Sequence, residues 1–252
     1  MPRTMLTDDA WEILKVLLKE SGRVYNKYEH RNTLEGILYR MRTGIQWRDL
    51  PSEFGLWNTV YRRFNLWSKK GILQKLFESL ASEGDPEWLF LDGSIVKAHQ
   101  DSSGAAGKQD EAIGKSRGGN STKIHLAVDS GGLPVYFELS GGQVNDIVHA
   151  QSLILNSPQA DIVCADKGYD SESFRAYVEE SGADAKIPRK RNNKLGNADM
   201  DWCLYRYRNL VENAFLRIKR YRAIATRYDK LALNYSSTVA LAFMMMWLPM
   251  YC

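Results

Sequence analysis

The alternation of apolar and polar residues changes period near residue 82. Before that point, apolar residues recur at intervals of three and four, the period of an amphipathic α-helix. The spacing predicts four helices, with Thr7 capping the first and Gly44 and Gly71 ending the second and third. The predicted ranges are 7–18, 33–42, 57–70 and 72–81.

A short polar linker, residues 83–87, precedes a different pattern. Beyond it the apolar runs are short and rich in branched and aromatic residues, which favours strands. Gly131 and Gly132 separate two such runs and predict a hairpin. Strands followed by alternating helices and strands predict an α/β ribonuclease H-like fold, a mixed five-stranded sheet with flanking helices. The predicted strands are 88–92, 94–98, 122–129, 133–139, 161–165 and 183–187, and the predicted helices are 146–155, 171–180 and 204–225.

The change of period also predicts two domains. Residues 1–82 would form an all-α domain, and residues 83–252 an α/β domain closed by a core-packing helix from residues 239–252. That apolar stretch is too short for a bilayer, which needs about 20 residues, so we expect no membrane partner.

The third predicted helix is basic and carries Arg62 and Arg63 beside apolar Val60, Phe64 and Trp67. Short helices with a basic third member are typical of a helix-turn-helix module that binds DNA. A packing subdomain with a solvated basic face explains the same composition equally well.

Residues 99–120 are rich in glycine and serine and predict a polar loop. Gly114-Lys115-Ser116 resembles the end of a nucleotide-binding P-loop. That motif requires glycine where this chain has Gln109, so the sequence argues against ATP binding.

Charge is distributed unevenly along the 252 residues. The net charge of +4 combines +6 over residues 1–75, −10 over 76–188 and +8 over 189–230. This excludes a uniformly basic coat protein and indicates basic flanks that hold a polyanion. Three widely spaced cysteines and an N-terminus without a signal pattern predict reduced thiols in a cytoplasm.

Two aspartates follow runs of apolar residues. Asp92 comes after residues 88–91, and Asp166 after residues 162–165. An ionised carboxylate at the end of a buried strand is costly unless it is paired or binds a metal ion. Each aspartate alone fits a helix cap or a turn residue just as well.

A third carboxylate, Glu212, shares one side of a predicted helix with Tyr205, Arg208 and Lys219. At about 100° per residue the four side chains fall within a strip about 60° wide. A surface ion pair between Arg208 and Glu212 is the simpler explanation. Together with Asp92 and Asp166, however, the glutamate suits a site with two magnesium ions about 4 Å apart.

The spacing Tyr205, Arg208, Glu212, Lys219 matches Tyr-x2-Arg-x3-Glu-x6-Lys without a mismatch. This resembles the signature around the catalytic glutamate of a superfamily of bacterial insertion-sequence DDE transposases. Other segments, in the right order along nearly the whole chain, resemble insertion-sequence family five. These segments are 44–51, 90–94, 122–125, 165–170 and 226–230.

The resemblance implies a ribonuclease H-like endonuclease with Asp92, Asp166 and Glu212 as catalytic metal ligands. The cofactor would be two Mg²⁺ ions, with Mn²⁺ as a substitute. The N-terminal helices would bind double-stranded DNA at the terminal inverted repeats of the element. Hydrolysis would free a 3′-hydroxyl that attacks target DNA. Two ends must be held together, so a homodimer or larger assembly is expected on the nucleoid of a bacterial cytoplasm.

Several other residues remain open at this stage. Arg189, Lys190 and Arg191 form either a solvated loop or a track for a DNA backbone. His125 is either structural or a support for the site. Asp146 and Asp170 are expected to cap the helices that follow them.

Two rival functions remain open besides the transposase. One is a domesticated protein that binds the repeats and represses without cutting, and the other is a nuclease without strand transfer. The complete set of three acids argues against the first, and the tyrosine–lysine signature against the second.

Overall fold

The computed structural model describes residues 2–21, 29–85, 87–104, 111–191 and 193–250. Pro86 of the predicted linker, part of the predicted loop and Cys252 lie outside these ranges. The helices are α1 (Asp8–Glu20), α2 (Glu29–Thr43), α3 (Trp57–Lys69), α4 (Ile72–Ala81), α5 (Ile147–Leu155), α6 (Glu172–Glu180), α7 (Trp202–Tyr205), α8 (Asn209–Lys219), α9 (Arg222–Ala225) and α10 (Ala232–Trp247). The strands are β1 (Trp88–Ala98), β2 (Gly114–Ser116), β3 (Gly119–Val128), β4 (Pro134–Gly141), β5 (Ile162–Ala165), β6 (Asp184–Lys186) and β7 (Thr226–Arg227).

The chain divides into two compact units. The helical unit comprises Met1–Leu80, Lys97–Glu111 and Ile218–Cys252, and the sheet unit comprises Ala81–Val96 and Ala112–Arg217. A domain boundary between residues 82 and 83 stays a prediction.

The helical unit contains the four helices predicted from the apolar period. Thr7 caps α1, because its hydroxyl accepts a hydrogen bond from the backbone N–H of Ala10 at 3.1 Å. The buried carboxylate of Glu35 on α2 accepts hydrogen bonds from the backbone of Met5 and Leu6 at 2.8 and 2.9 Å. These contacts fix the segment before α1 on the second helix.

Helix α10 supplies much of the core of the helical unit. Eleven of its 16 residues are buried, and the ring of Phe243 lies 5.8 Å from that of Phe77. This helix begins at Ala232, earlier than the predicted stretch 239–252. No helix among the described residues is long and apolar enough to cross a membrane.

A buried ion pair lies in the same unit. Arg40 of α2 donates two hydrogen bonds to the carboxylate of Asp229, at 3.1 and 3.0 Å. The guanidinium also lies 4.9 Å from the ring centroid of Trp47. Arg227 donates to the backbone carbonyl of Asp229 at 2.8 Å, so each buried charge has a partner within the unit.

The sheet unit is built on a mixed sheet in which β3, β1, β5 and β6 are successive neighbours. The hairpin of β3 and β4 is antiparallel, and β1, β5 and β6 are parallel. Parallel strands covered on both faces require continuous apolar runs, which explains Phe90-Leu91 and Val163-Cys164. The structure confirms the predicted α/β ribonuclease H-like class, with helices flanking the sheet.

The structure corrects three details. The predicted strands 88–92 and 94–98 are one strand, because Gly93 stays extended and the chain continues to pair, ending opposite β7. The short strands β2 and β7 raise the sheet from five strands to seven, and β2 lies within the predicted loop. The predicted helix 204–225 is broken by a 3-10 turn at Arg206–Arg208 and ends at Lys219 before α9.

Candidate active site

Strands β1 and β5 place two aspartates side by side in the sheet unit. Leu91 of β1 is in register with Ala165 of β5, and Asp92 and Asp166 are the next residues on these parallel strands. Neighbouring strands are about 4.8 Å apart, so the two carboxylates lie close together. Asp92 is inside β1, whereas Asp166 follows the end of β5.

The local backbone orients both carboxylates. The N–H of Gly93 donates to Asp92 Oδ1 at 2.8 Å, and the N–H of Gly168 donates to Asp166 Oδ1 at 2.7 Å. The second contact caps the 3-10 turn Lys167–Tyr169 that begins after β5. One oxygen of each aspartate therefore has a backbone donor.

Arg208 links the helical glutamate to this pair of strands. Its Nη1 donates to Asp92 Oδ2 at 3.1 Å, and its Nη2 donates to Glu212 Oε1. The ion pair Arg208–Glu212, considered from the sequence as a surface contact, is thus present and extends to Asp92. The guanidinium also lies 5.8 Å from the ring centroid of Tyr205.

Burial dominates the electrostatics of Asp92. Desolvation raises the pKa of Asp92 to about 6, although the Gly93 hydrogen bond and Arg208 lower it. Asp166 and Asp146 act in the same direction as burial. Burial lowers the pKa of Arg208, but Asp92 and Glu212 outweigh it and hold that pKa above its usual value.

The donor set fits a divalent cation in its chemistry. Asp92, Asp166 and Glu212 offer hard carboxylate oxygens, the ligands that Mg²⁺ and Mn²⁺ prefer. Within the described ranges, no three His, Cys, Asp or Glu side chains are arranged as they stand to hold a metal ion. The guanidinium of Arg208, which contacts two of the three acids, supplies the positive charge in this structure.

Other predicted site residues lie elsewhere. Arg62, exposed, and Arg63, half-buried, are on α3 in the helical unit, to which Lys219 at the end of α8 also belongs. In the sheet unit Arg189 forms an ion pair with Asp199 at 2.6 Å. Lys190 and Arg191 follow it with exposed side chains.

The predicted helix cap at Asp170 is wrong, because Ser171 occupies that position, and the predicted cap at Asp146 is right in position only. Asp146 stands at the N-cap position of α5, but its backbone is already helical and its side chain makes no capping hydrogen bond. Asp170 instead accepts hydrogen bonds from the Arg175 side chain at 3.0 Å and the Lys190 backbone at 2.7 Å. Both carboxylates are taken by basic partners from other elements.

The structure adds two residues that the sequence interpretation missed. Tyr169 is buried, and desolvation, reinforced by Asp146, Asp92 and Asp166, holds the pKa of its phenol well above 10.0. Lys123 of β3 is also buried, and its ammonium lies 3.2 Å from Asp146 Oδ1. The i, i+2 spacing of Lys123 and His125 on a predicted strand was the available signal.

Comparisons with known proteins identify the family to which this chain belongs. Residues 6–77 match a family model described as "Putative transposase of IS4/5 family", and residues 83–247 match one described as "Transposase DDE domain". The second match covers more than half of the chain. The protein therefore belongs to the IS4/5-type DDE transposases, a class of nucleases and strand transferases that generally use a divalent metal ion, and is a DNA transposase.

Individual proteins and solved structures are similar to parts of this chain. A "Putative transposase for insertion sequence element IS6501" from Brucella ovis is 35% identical over 128 residues, which cover 50% of this chain and 98% of the relative. An uncharacterized protein, y4sN, from Sinorhizobium fredii is 32% identical over 128 residues, covering 50% of this chain and 96% of the relative. A solved piggyBac transposase synaptic complex with hairpin DNA is 12% identical, with a TM-score of 0.36 over 75% of this chain and 43% of that chain.

Proposed function

We propose that this transposase cuts phosphodiesters at the terminal inverted repeats of its own insertion sequence and joins the freed ends to target DNA. The observation that carries the proposal is the convergence at Arg208. This one side chain contacts Asp92 of β1 and Glu212 of α8, and Asp166 stands on the strand next to Asp92.

Asp92, Asp166 and Glu212 would hold two Mg²⁺ ions, for which Mn²⁺ would substitute. When bound, these ions would supply Lewis-acid stabilisation of the charge on the reacting phosphate. The backbone donors of Gly93 and Gly168 keep one oxygen of each aspartate fixed, which preorganises the site.

The two steps are balanced phosphoryl transfers. In the first, a water oxygen forms a bond to phosphorus and gives up a proton to solvent. The bond from phosphorus to the 3′ oxygen of the element breaks, and that oxygen takes up a proton to become a 3′-hydroxyl. In the second, that 3′-hydroxyl loses its proton and bonds to a target phosphorus. The 3′ oxygen of the target strand leaves and takes up a proton.

Cationic residues would hold the DNA during these steps. In the sheet unit, Tyr205 and Arg208 adjoin the acids, and Arg189, Lys190 and Arg191 precede α7, so they would contact phosphates near the cleaved bond. Lys219 would hold a further phosphate, as the matched signature implies. On α3, Arg62 and Arg63 would contact the terminal-repeat duplex.

The proposed substrate has two ends. Holding both requires at least two copies of the chain on DNA, so the working assembly would be a homodimer or larger. Because the substrate is chromosomal DNA, the proposed place of action is the bacterial nucleoid.

The test is a cleavage and joining assay on a duplex made from the DNA that flanks the coding sequence. With Mg²⁺, the proposal expects a cut at the repeat end and covalent joining to a second duplex, both abolished by EDTA and restored by Mn²⁺. Cleavage without joining would instead assign a nuclease. Binding without cleavage under every metal condition would assign a repressor.

A further inference from the structure

The residue after Asp92 leaves a gap that another acid fills. A Cβ atom added to Gly93 would lie 2.0 Å from Asp146 Oδ1 and 2.7 Å from its Cγ, closer than real contacts allow. The carboxylate of Asp146 therefore packs against the backbone of β1 where a side chain would otherwise be. Only glycine at position 93 permits this approach.

Asp146 is held in that gap by two residues of β3, the neighbouring strand. The ammonium of Lys123 lies 3.2 Å from Asp146 Oδ1 and donates to the carbonyl of Val144 at 2.6 Å. Two positions along the strand, and therefore on the same face, the Nδ1 of His125 lies 3.3 Å from the same carboxylate. The imidazole is buried, and its Nε2 lies 2.8 Å from Ser140 Oγ.

The neighbours of Asp146 favour its ionised form. Burial alone would raise the pKa of Asp146, but His125 and Lys123 together bring it below 3.8. The carboxylate makes no hydrogen bond to its own helix. Its orientation therefore follows from the contacts with β3 and from the gap at Gly93.

We infer that Asp146, clamped by Lys123 and His125, is a positioning residue for Asp92. Asp146 fixes the backbone at Gly93, and the N–H of Gly93 in turn donates to Asp92 Oδ1. The inference rests on the proposed function in one respect, since it takes Asp92 to be a metal ligand. It adds that the ligand is oriented through this contact rather than by Arg208 alone.

The first test is Asp146→Asn, which keeps the volume and removes the charge that holds Lys123. Loss of a group that orients a metal ligand typically weakens metal affinity or activity by about 10- to 100-fold. We expect a loss of that size in Mn²⁺ affinity, measured by calorimetry without DNA, and in the single-turnover cleavage rate. Affinity for the repeat duplex should stay within about twofold.

The second variant, Gly93→Ala, keeps every charge and displaces Asp146 by steric overlap. It should lose Mn²⁺ affinity to a similar degree, which separates positioning from simple removal of negative charge. The matched control is Asp129→Asn in the turn after β3, about 20 Å along the chain from Lys123. The carboxylate of Asp129 accepts a hydrogen bond from the backbone N–H of Leu133 at 2.8 Å. Replacing Asp129 should leave Mn²⁺ affinity unchanged.

Melting curves establish that each variant is folded at the assay temperature. Wild-type Mn²⁺ affinity and cleavage in folded Asp146→Asn would overturn the inference, as would equal losses in Asp129→Asn. Asp92→Asn provides the separate check on the proposed function. If that change leaves Mn²⁺ binding intact, the assignment of the metal site fails, whatever Asp146 does.

Discussion

The two units each contain an arginine that binds aspartate, in opposite settings. Arg40 and Asp229 in the helical unit have side chains 9% and 8% exposed and form a matched bidentate pair. Arg208 in the sheet unit is 20% exposed and divides its donors between Asp92, 21% exposed, and Glu212, 50% exposed. The first pair is sealed and balanced, whereas the second is open and has more acid than base.

The comparison shows how the same two side-chain types serve structure or chemistry. A sealed bidentate pair satisfies its own charges and is costly to break, because the remaining partner stays buried and ionised. At the open site one guanidinium faces two acids, with Asp166 on the adjacent strand as a third. Negative charge left over there is available to a cation or to the phosphate-bound metal of a substrate complex.

Glu212→Gln, which tests the open site of the sheet unit, should have the largest effect. Losing one anionic ligand from a metal-assisted phosphoryl-transfer site should slow end cleavage by at least about a thousandfold. Binding of the repeat duplex should survive, as measured by gel shift. Asp229→Asn is the control and should retain the cleavage rate at temperatures where it is folded. Wild-type cleavage in Glu212→Gln would refute the site assignment.

Arg40→Met tests the buried ion pair of the helical unit. Leaving Asp229 buried without its partner should cost about 3–5 kcal/mol in the free energy of unfolding. The matched change Arg208→Met should cost less than that, because Glu212, one of its two partners, is half exposed. Urea denaturation of the two variants measures the difference. Equal losses would show that exposure does not separate the two arginines.

Arg62→Ala tests the charge that we propose for end binding in the helical unit. Loss of one phosphate contact should weaken duplex binding several-fold and reduce the slope of log K against log salt by about one. Arg31→Ala is the control, because Arg31 is already paired with Asp8 at 2.7 Å. If both variants bind like wild type at every salt concentration, α3 does not contact the duplex.

The smallest expected effect concerns Cys164, a buried cysteine in β5. Burial raises the pKa of Cys164 in β5 from 9.0 to about 12, whereas Cys203 is exposed. At pH 8, iodoacetamide should therefore alkylate Cys203 and leave Cys164 unmodified until the protein unfolds. Peptide mass mapping reads both sites. Because the folded state retains a proton that the unfolded state loses, Cys164 should also make stability fall as pH rises above 9.

Local signals in the sequence were sufficient for the first four helices and for several strands. The cap at Thr7 and the glycine after α2 set helix ends that the structure reproduces. Short apolar runs located β3, β4 and β5 because burial dictates their composition. These features depend on neighbours along the chain, which is why a single sequence contains them.

The features that were missed depend on contacts between distant residues. The 3-10 turn before α8 contains no glycine or proline, and Arg208 at its end reaches Asp92, 116 positions earlier. Asp146 has the local sequence of a helix cap, and only the gap at Gly93 shows why its carboxylate turns elsewhere. Apolar period and cap rules carry no information about such pairings.

The three-segment composition of the helical unit has a consequence for synthesis on the ribosome. Residues of α10, including the buried Phe243 that contacts Phe77, are made more than 150 positions after the fourth helix. The first helices therefore keep apolar faces uncovered until α10 emerges. A nascent chain that ends before α10 would have early helices that lack part of their core. We expect chaperones or proteases to act on such a chain before it can bind DNA.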